Sequence, residues 1–525
     1  MGTYTVHVMR NGKVRDITGE AGESLMNAFI RNDIYISAAC GGKGKCGKCG
    51  VRMTEAPVEI TETDRKFFDE KELAEGWRLS CLAFPEGVCS VEIETGDESD
   101  FEIVSEYQNR EDGAGHVQEA YYDIGIDIGT TTIAVNLIGG TSKTVCNTYT
   151  TINKQRAYGA DVISRIQASN DGRKEELKIS IRKDLYEGII QVIQSEGISP
   201  KSIKRIAIAG NTTMGHLLMG YSCETLGVYP FTPVNIGTIQ CGFEEMFGGI
   251  EGLDGALTDA QIILLPGIST YVGADISAGM LSCGFDKAEK PSLLIDLGTN
   301  GEMGVGCKDR IMVTSTAAGP AFEGGNISWG MGSVKGAICG VEIDGDKVKV
   351  NTIGDKPPIG LCGTGVIETV SELLKAELID ETGMLDEDYF DDGYPLAKTP
   401  DGDEIVFTQQ DVREIQLAKS AVRAGVETLL LRYGIGYEDV DKVYLAGGFG
   451  YKINLDKAIS IGLLPEELHD KIEAVGNSSL GGTVVYLTEE DAAERMERII
   501  GASEEIGLST DKDFNRFYTD YMFFE

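Results

Sequence analysis

The chain has 525 residues and a formal net charge of −37. That length fits about two to four domains, and that charge argues against nonspecific binding to nucleic acid or to an anionic membrane. No run of about 18 apolar residues occurs and the start, MGTYTVHVMRNGK, has no apolar signal core, so the expected setting is a reducing cytoplasm, where twelve cysteines are not a secreted disulfide framework.

TYTVHVM alternates apolar and polar residues, Asn11-Gly12 supplies a two-residue turn and KVRDI follows, which predicts a β-hairpin. In AGESLMNAFIRNDI the apolar Leu25, Met26, Phe29 and Ile30 recur at helical spacing behind Ser24. GWRLSCLA and VCSVEIET are two later strand candidates.

CGGKGKCGKC, from Cys40 to Cys49, lies after the helix and reads in two ways. Gly42 to Cys49 is G-x4-G-K-C, close to the phosphate-cradling G-x4-G-K-[ST]; the same residues are C-x5-C-x2-C, a metal-ligand spacing. The phosphate reading lacks the Ser/Thr that binds Mg²⁺, follows a helix where a strand is needed, and runs into the strand-like VRMTEAPVEI where a helix is needed. Cys81, after 31 intervening residues, completes a set of four thiols. Glycine at positions 41, 42, 44, 47 and 50 permits the close approach that such a set requires. Four cysteines are also a zinc set, though zinc ribbons pair two C-x2-C knuckles and Cys81 has no close partner. Cys89 competes with Cys81 for the fourth place. The other cysteines mostly lie singly in apolar stretches and read as buried packing. Lys43, Lys45, Lys48 and Arg52 sit on or just after the loop, with no acidic residue between Asp33 and Glu55. They read either as solvated charges offsetting the site or as a docking patch for an acidic redox partner.

Hairpin, helix, cysteine loop and late strands resemble the β-grasp of [2Fe–2S] ferredoxins, and the x5 spacing resembles their adrenodoxin-like branch. The resemblance implies that Cys40, Cys46, Cys49 and Cys81 ligate the metal of a [2Fe–2S] cluster, within a ferredoxin domain over 1–94. Residues 95–120, TGDESDFEIVSEYQNREDGAGHVQEA, are acidic and weakly periodic and predict a flexible linker.

Beyond it, YYDIGIDIGTTTIAVNLI places Asp127, Gly129, Thr130, Thr131 and Thr132 at a turn between apolar strands. SLLIDLGTNGEMGVG repeats the pattern with Asp296, Gly298, Thr299, Asn300 and Glu302. Small Gly/Thr turns let backbone N–H groups and hydroxyls approach phosphate oxygens, and an Asp at the strand end can hold Mg²⁺ or orient water. KVYLAGGFG runs a strand into Gly447, Gly448 and Phe449, a backbone that can approach an adenosine. RIAIAGNTTMGHLL (205–218), between the two hairpins, and AVGNSSLGG (474–482), after the paired glycines, are two further Gly-containing stretches.

This order resembles the actin, sugar-kinase and heat-shock-chaperone superfamily, which implies a two-lobed α/β ribonuclease-H-like ATPase: 121–204 with the first phosphate loop, and 205–525 with the second phosphate loop and the adenosine loop, the stretches 205–218 and 474–482 being its two connectors. With the ferredoxin part, the stretches TAAGPAFEGGNISWGM (316–331), LCGTGVIE (361–368) and TQQDVREIQLAKSAVRAGV (408–426) resemble ATP-dependent reductive activators of corrinoid proteins. Thr408 and Asp411 also predict a helix start by capping box, with Val412, Ile415, Val422, Val426 and Leu429 as its core stripe. The resemblance implies one-electron reduction of Co(II) to Co(I) in a corrinoid protein, with ATP and Mg²⁺, a low-potential electron donor and a homodimer. Asp127 and Asp296 would be its catalytic carboxylates. Net charge and the lack of a long apolar run, in turn, predict no nucleic-acid or membrane partner. An activator of a radical dehydratase, a small-molecule kinase with a redox-sensing appendage, and an actin- or chaperone-like binding protein remain as alternatives.

Overall fold

A computed structural model describes all residues except 1, 11, 33, 35, 37, 39, 94–103, 113–118, 346, 449 and 525. The chain forms two compact units, one of Met1–Glu98, Ile152–Asp184 and His216–Val234, the other of Ser99–Thr151, Leu185–Gly215 and Asn235–Glu525.

In the first unit, strands β1 (Thr3–Arg10) and β2 (Lys13–Glu20) form the expected hairpin. The helix Leu25–Arg31 begins at Ser24, whose hydroxyl accepts from the Asn27 amide at 3.3 Å. Its Leu25, Met26 and Phe29 are buried with Val6, Val51 and Leu79 in the core of this part, as the helical spacing of apolar residues requires. β3 (Gly50–Glu55), β4 (Trp77–Leu79) and β5 (Val88–Glu92) complete a mixed sheet of order β2-β1-β5-β3-β4, with β1 and β5 parallel. This is the β-grasp arrangement. The same unit includes a polar core between residues 153 and 184. There the fully buried Arg165 donates from Nε to the Gly159 carbonyl at 3.0 Å, and Gln155 donates to Leu177 O at 2.9 Å.

The second unit carries two six-stranded sheets built on one plan. In the first, β6 (Tyr122–Ile128) and β7 (Thr132–Gly139) form an antiparallel hairpin, and β8 (Val145–Ile152) lies outside β7. β9 (Ile203–Gly210) runs parallel to β6, followed outward by β11 (Gln261–Leu264) and the antiparallel β10 (Ile239–Gly242). In the second sheet, β12 (Ser292–Leu297) and β13 (Gly301–Cys307) form the hairpin and β14 (Arg310–Thr316) continues it. A small sheet of β15 (Ala337–Asp344), β16 (Lys347–Thr352) and β17 (Gly360–Leu361) and a hairpin of β18 (Tyr394–Lys398) and β19 (Glu404–Phe407) intervene. β20 (Val443–Ala446) then returns parallel to β12, with β21 (Ile472–Gly476) beyond it and β22 (Ser503–Glu505) on the far edge. The shared hairpin-plus-parallel-strand plan gives the two related lobes expected from the repeated Asp-Φ-Gly-Thr pattern.

Two helices cross between the sheets, Ala274–Ser282 and Ser478–Thr488. They meet backbone to backbone: a Cβ on Gly482 would lie 2.1 Å from the Ala278 carbonyl oxygen. The second is the expected connector. The first replaces the stretch 205–218, which is instead β9 followed by the helix Thr212–Met219. The helix Gln409–Tyr433 starts at the expected capping box of Thr408 and Asp411, and Val412, Ile415, Val422, Val426 and Leu429 are all buried.

The expected linker departs from a free tether over its middle. Residues 95–103 and 113–118 lie outside the described residues. Between them Tyr107 is buried and bridges to Gly476, Gln108 N donates to Val475 O at 3.1 Å, and Glu106 O accepts from Asn477 N at 2.8 Å. Hydrogen bonds along β21 hold this piece where composition alone suggested solvated chain. Among the described residues no helix is long and apolar enough to cross a membrane.

Candidate functional site

The cysteine loop is shaped by backbone that side chains disfavour. Gly41, Gly42, Gly44 and Gly47 have φ of +63°, +79°, +65° and +70°, the left-handed region that glycine enters without a Cβ penalty. A Cβ on Gly41 would also meet the Tyr158 carbonyl oxygen at 2.4 Å. Gly50 differs: it opens β3. Pairing of β3 with β4 (Gly50↔Leu79) and the bond from Ser80 N to Cys49 O at 2.9 Å bring Cys81 to the loop.

The four thiols fall into two pairs, Cys40–Cys46 with sulfurs 3.4 Å apart and Cys49–Cys81 with sulfurs 3.3 Å apart. Both are far longer than a disulfide of about 2.05 Å. A tetrahedral metal with thiolate bonds of about 2.3 Å sets its sulfurs roughly 3.8 Å apart, so each pair spans nearly one edge of such a centre. Among the described residues no three His, Cys, Asp or Glu side chains gather around one ion position. Two pairs rather than one quartet fit a two-iron group better than a single zinc. Lys45 N points at Cys40 Sγ, 3.5 Å away, the amide-to-sulfur contact that tunes such groups. Cys89 stays apart: it lies in β5 opposite Val6, in the apolar core, where burial pushes its thiol up to about 11. Lys43, Lys45 and Lys48 are exposed. Arg52 is not part of this surface, because its guanidinium pairs with Glu92 across the sheet.

The second candidate site lies where the two hairpin turns meet. Asp127 and Asp296 occupy equivalent places near the ends of β6 and β12. Asp127 accepts from Asn477 Nδ2 at 2.9 Å and from Ser479 Oγ at 2.6 Å, while burial pushes its carboxyl up. Asp296 pairs with Glu302 across the hairpin. Burial, then the charges of Asp275, Asp127 and Glu323, push Asp296 up to about 8. Asp275, in the first turn of the helix Ala274–Ser282, rises to about 7 by burial and the nearby Asp127. Burial and the charges of Asp275 and Asp296 raise Glu302 as well, against the Asn300 side chain, which lowers it. These acids share too little water to carry their charges together, so the place favours a cation. They do not form a three-carboxylate cage. A hard cation here would complete its shell with phosphate and water.

The turns themselves are tight, with Gly129 N bonded to Thr132 O at 2.9 Å and Gly298 N to Asn300 O at 3.2 Å. Thr130 Oγ1 accepts from Asn211 Nδ2 at 3.1 Å. Thr131 and Thr299, one from each hairpin, both donate to Oε2 of Glu323, at 3.5 and 2.7 Å. Gly447 is left-handed (φ +92°), and a Cβ there would lie 2.7 Å from Asp296 Oδ1. It therefore sits against the carboxylate floor. The backbone next to Gly448 is open, with Val104 4.0 Å from a Cβ placed there. Phe449 lies outside the described residues.

Sequence reading missed Asp275, Glu323, Asn211, Asn477 and Ser479 as site residues. Four of them lie in stretches already singled out. The two asparagines share a readable signal: each follows a strand and caps the next helix through Oδ1, to Met214 N and Leu480 N, which turns Nδ2 toward the first hairpin. Asp275 carries no such mark, being one acid at the start of an apolar helix.

Three family models match in succession: a 2Fe–2S iron–sulfur cluster binding domain over 8–86, the RACo middle region over 122–288, and the C-terminal ASKHA domain of RACo over 290–525. The corrinoid activation enzyme RamQ of Eubacterium limosum is 33% identical over 425 residues, covering 76% of this chain and 70% of the relative. The [Co(II) methylated amine-specific corrinoid protein] reductase of Methanosarcina barkeri is 29% identical over 437 residues, 76% of each. A solved structure of a reductive activator for corrinoid, iron–sulfur protein aligns with a TM-score of 0.68 at 28% identity, over 99% of this chain and 98% of its own.

Proposed function

This chain belongs to the family of reductive activators of corrinoid proteins, and on that premise we propose that it reduces Co(II) in a corrinoid protein to Co(I), one electron at a time, under the control of ATP. The observation that carries the reading is the presence on one chain of two sulfur pairs at 3.3–3.4 Å and two facing Asp hairpins. A kinase or a chaperone-like ATPase needs only the second.

Cys40 and Cys46 would hold one iron and Cys49 and Cys81 the other. The bound [2Fe–2S] group supplies a one-electron carrier of low potential, about −400 mV for plant-type clusters. The left-handed glycines keep the loop free of bulk, leaving backbone and the exposed Lys43, Lys45 and Lys48 toward a redox partner. Gly129 to Thr132 and Gly298 to Asn300 would receive the ATP phosphates, and Mg²⁺ would be held between those phosphates and the acidic floor made by Asp127, Asp275, Asp296 and Glu302, with water completing its shell. Asp127 and Asp296 would position the metal and water. Gly447, Gly448 and Phe449 would line the adenosine side. Docking to a low-potential electron donor, a homodimer and a cytoplasmic setting belong to the same reading.

ATP shifts a redox equilibrium only by binding one state of the complex better than another. A 10⁴-fold preference is roughly 5.5 kcal/mol, on the order of 240 mV for one electron at about 59 mV per tenfold. Asp296→Asn tests the division of labour. The variant keeps two irons per chain and a chemically reducible cluster, while ATP-dependent Co(I) formation falls about 100-fold or more. Equal Co(I) formation by the variant and the wild type contradicts the proposal.

A further inference from the structure

Glu323 has no place in the roles assigned so far, yet it holds the centre of the nucleotide site. One oxygen, Oε2, accepts from the hydroxyl of Thr299 at 2.7 Å and from that of Thr131 at a longer 3.5 Å. The two donors come from the two hairpins of opposite sheets. They therefore form a two-hydroxyl receptor for a single anionic oxygen, filled in this structure by the chain's own carboxylate. Its negative charge also acts on Asp296. A phosphate oxygen and a carboxylate oxygen cannot share those hydroxyls: both are anions and both only accept.

The surroundings of Glu323 make this contact consequential. It ends the short turn Pro320–Glu323, and the loop beyond is closed on itself: Gly324 is left-handed, and a Cβ there would lie 2.3 Å from the Met331 carbonyl oxygen. Four residues on from Gly324, Ser328 donates from N at 2.7 Å and from Oγ at 3.0 Å to Asp411 Oδ1. Asp411 is the buried capping carboxylate of the helix Gln409–Tyr433. A displaced Glu323 thus pulls on a tight loop anchored to the longest helix of the chain.

We propose that Glu323 sets the preference of this site between ATP and ADP by occupying the place of the terminal phosphate. The proposal rests on the ATP reading above. ADP leaves Glu323 on both threonines. ATP must take them over and expel the carboxylate, which moves the 320–331 loop against the helix it caps. Glu323 is here a specificity-determining residue that competes with the nucleotide.

The test uses the full chain with its cluster and measures dissociation constants of Mg–ATP and Mg–ADP by calorimetry. In Glu323→Gln, which keeps shape and loses charge, ATP binding tightens roughly tenfold while ADP binding changes by less than about twofold. The KM for ATP hydrolysis falls in parallel and kcat does not rise. Thr299→Val gives the converse, weaker ATP binding with ADP binding retained. Equal shifts for both nucleotides overturn the proposal, as does a Glu323→Gln variant whose ATP affinity is unchanged or weaker. A purely structural Glu323 gives the former, and a water-activating Glu323 gives the latter with a loss of kcat. A wild-type chain that binds neither nucleotide removes the ATP reading itself, and the proposal with it.

Discussion

Cys81 and Cys89 separate two ways of completing the thiol set. Cys81 Sγ is 3.3 Å from Cys49 Sγ, whereas Cys89 faces the apolar core from β5. Cys81→Ser therefore loses the visible spectrum of the iron–sulfur group and about half or more of its iron, because one of the two pairs is broken. Cys89→Ser keeps both, at a modest cost in stability of about 1 kcal/mol. Absorbance and iron content per chain decide between them. The glycine at 47 is a similar single-residue requirement. Its φ of +70° strains any β-branched side chain, and a Cβ there would lie 2.6 Å from the Phe67 ring, so Gly47→Val should fail to hold the cluster while the β-grasp core still folds.

Elements differ in how far the sequence reveals them. The two Asp hairpins and the helix Gln409–Tyr433 were legible because turn chemistry and a 3.6-residue stripe are local signals. The crossing of Ala274–Ser282 with Ser478–Thr488 was not, because it depends on Gly482 meeting Ala278 across 204 positions of chain, a contact with no periodicity. Asp275 was hidden with it. Glu323, Asn477 and Ser479 sat in stretches singled out by resemblance, but only the folded turns show which atoms they reach. The middle of the expected linker departs from its composition because bridging to β21 is a tertiary effect that acidic residues do not report. Tyr107 is the anchor there, buried against Gly481. Tyr107→Gly should expose residues 104–112 to limited proteolysis at a rate well above the wild type, with the cluster spectrum unchanged.

An ion pair in the second unit gives a pH prediction for the same scale. Asp286 is held by Arg495, at 2.9 and 3.0 Å, and by Arg498 at 3.2 Å. Burial alone would raise its carboxyl, but the two guanidiniums outweigh it and hold the group below its ordinary 3.8. A folded-state value below the unfolded one means that the unfolded chain binds the proton more readily. The pair therefore stabilises the fold above about pH 4 and loses that contribution as pH falls below it. Asp286→Asn should flatten the acid limb of a stability–pH profile measured by denaturant unfolding, and should destabilise the protein at pH 7.

At the scale of the whole molecule the charge distribution is uneven. A chain of net charge −37 presents Lys43, Lys45 and Lys48 around its thiol loop, all exposed. Charge of one sign around a redox centre speeds encounter with a carrier of the other sign, and salt suppresses the gain. Reduction by an acidic low-potential protein should slow by about tenfold or more in a Lys43→Glu, Lys45→Glu, Lys48→Glu variant, and its salt dependence should reverse sign, because salt then screens repulsion. Reduction by a small neutral reductant should not change. The mixed-sheet order, the paired lobes and the run of three family matches together place an electron-carrying part and an ATPase on one chain.

The most direct measurement joins the two. A corrinoid protein held as Co(II) is mixed anaerobically with the cluster-loaded chain and a low-potential reductant, and the Co(I) absorption is followed with and without Mg–ATP. The account predicts Co(I) formation that requires the chain and rises with ATP in extent or turnover. Co(I) formation indifferent to ATP, or equally fast without the chain, contradicts it.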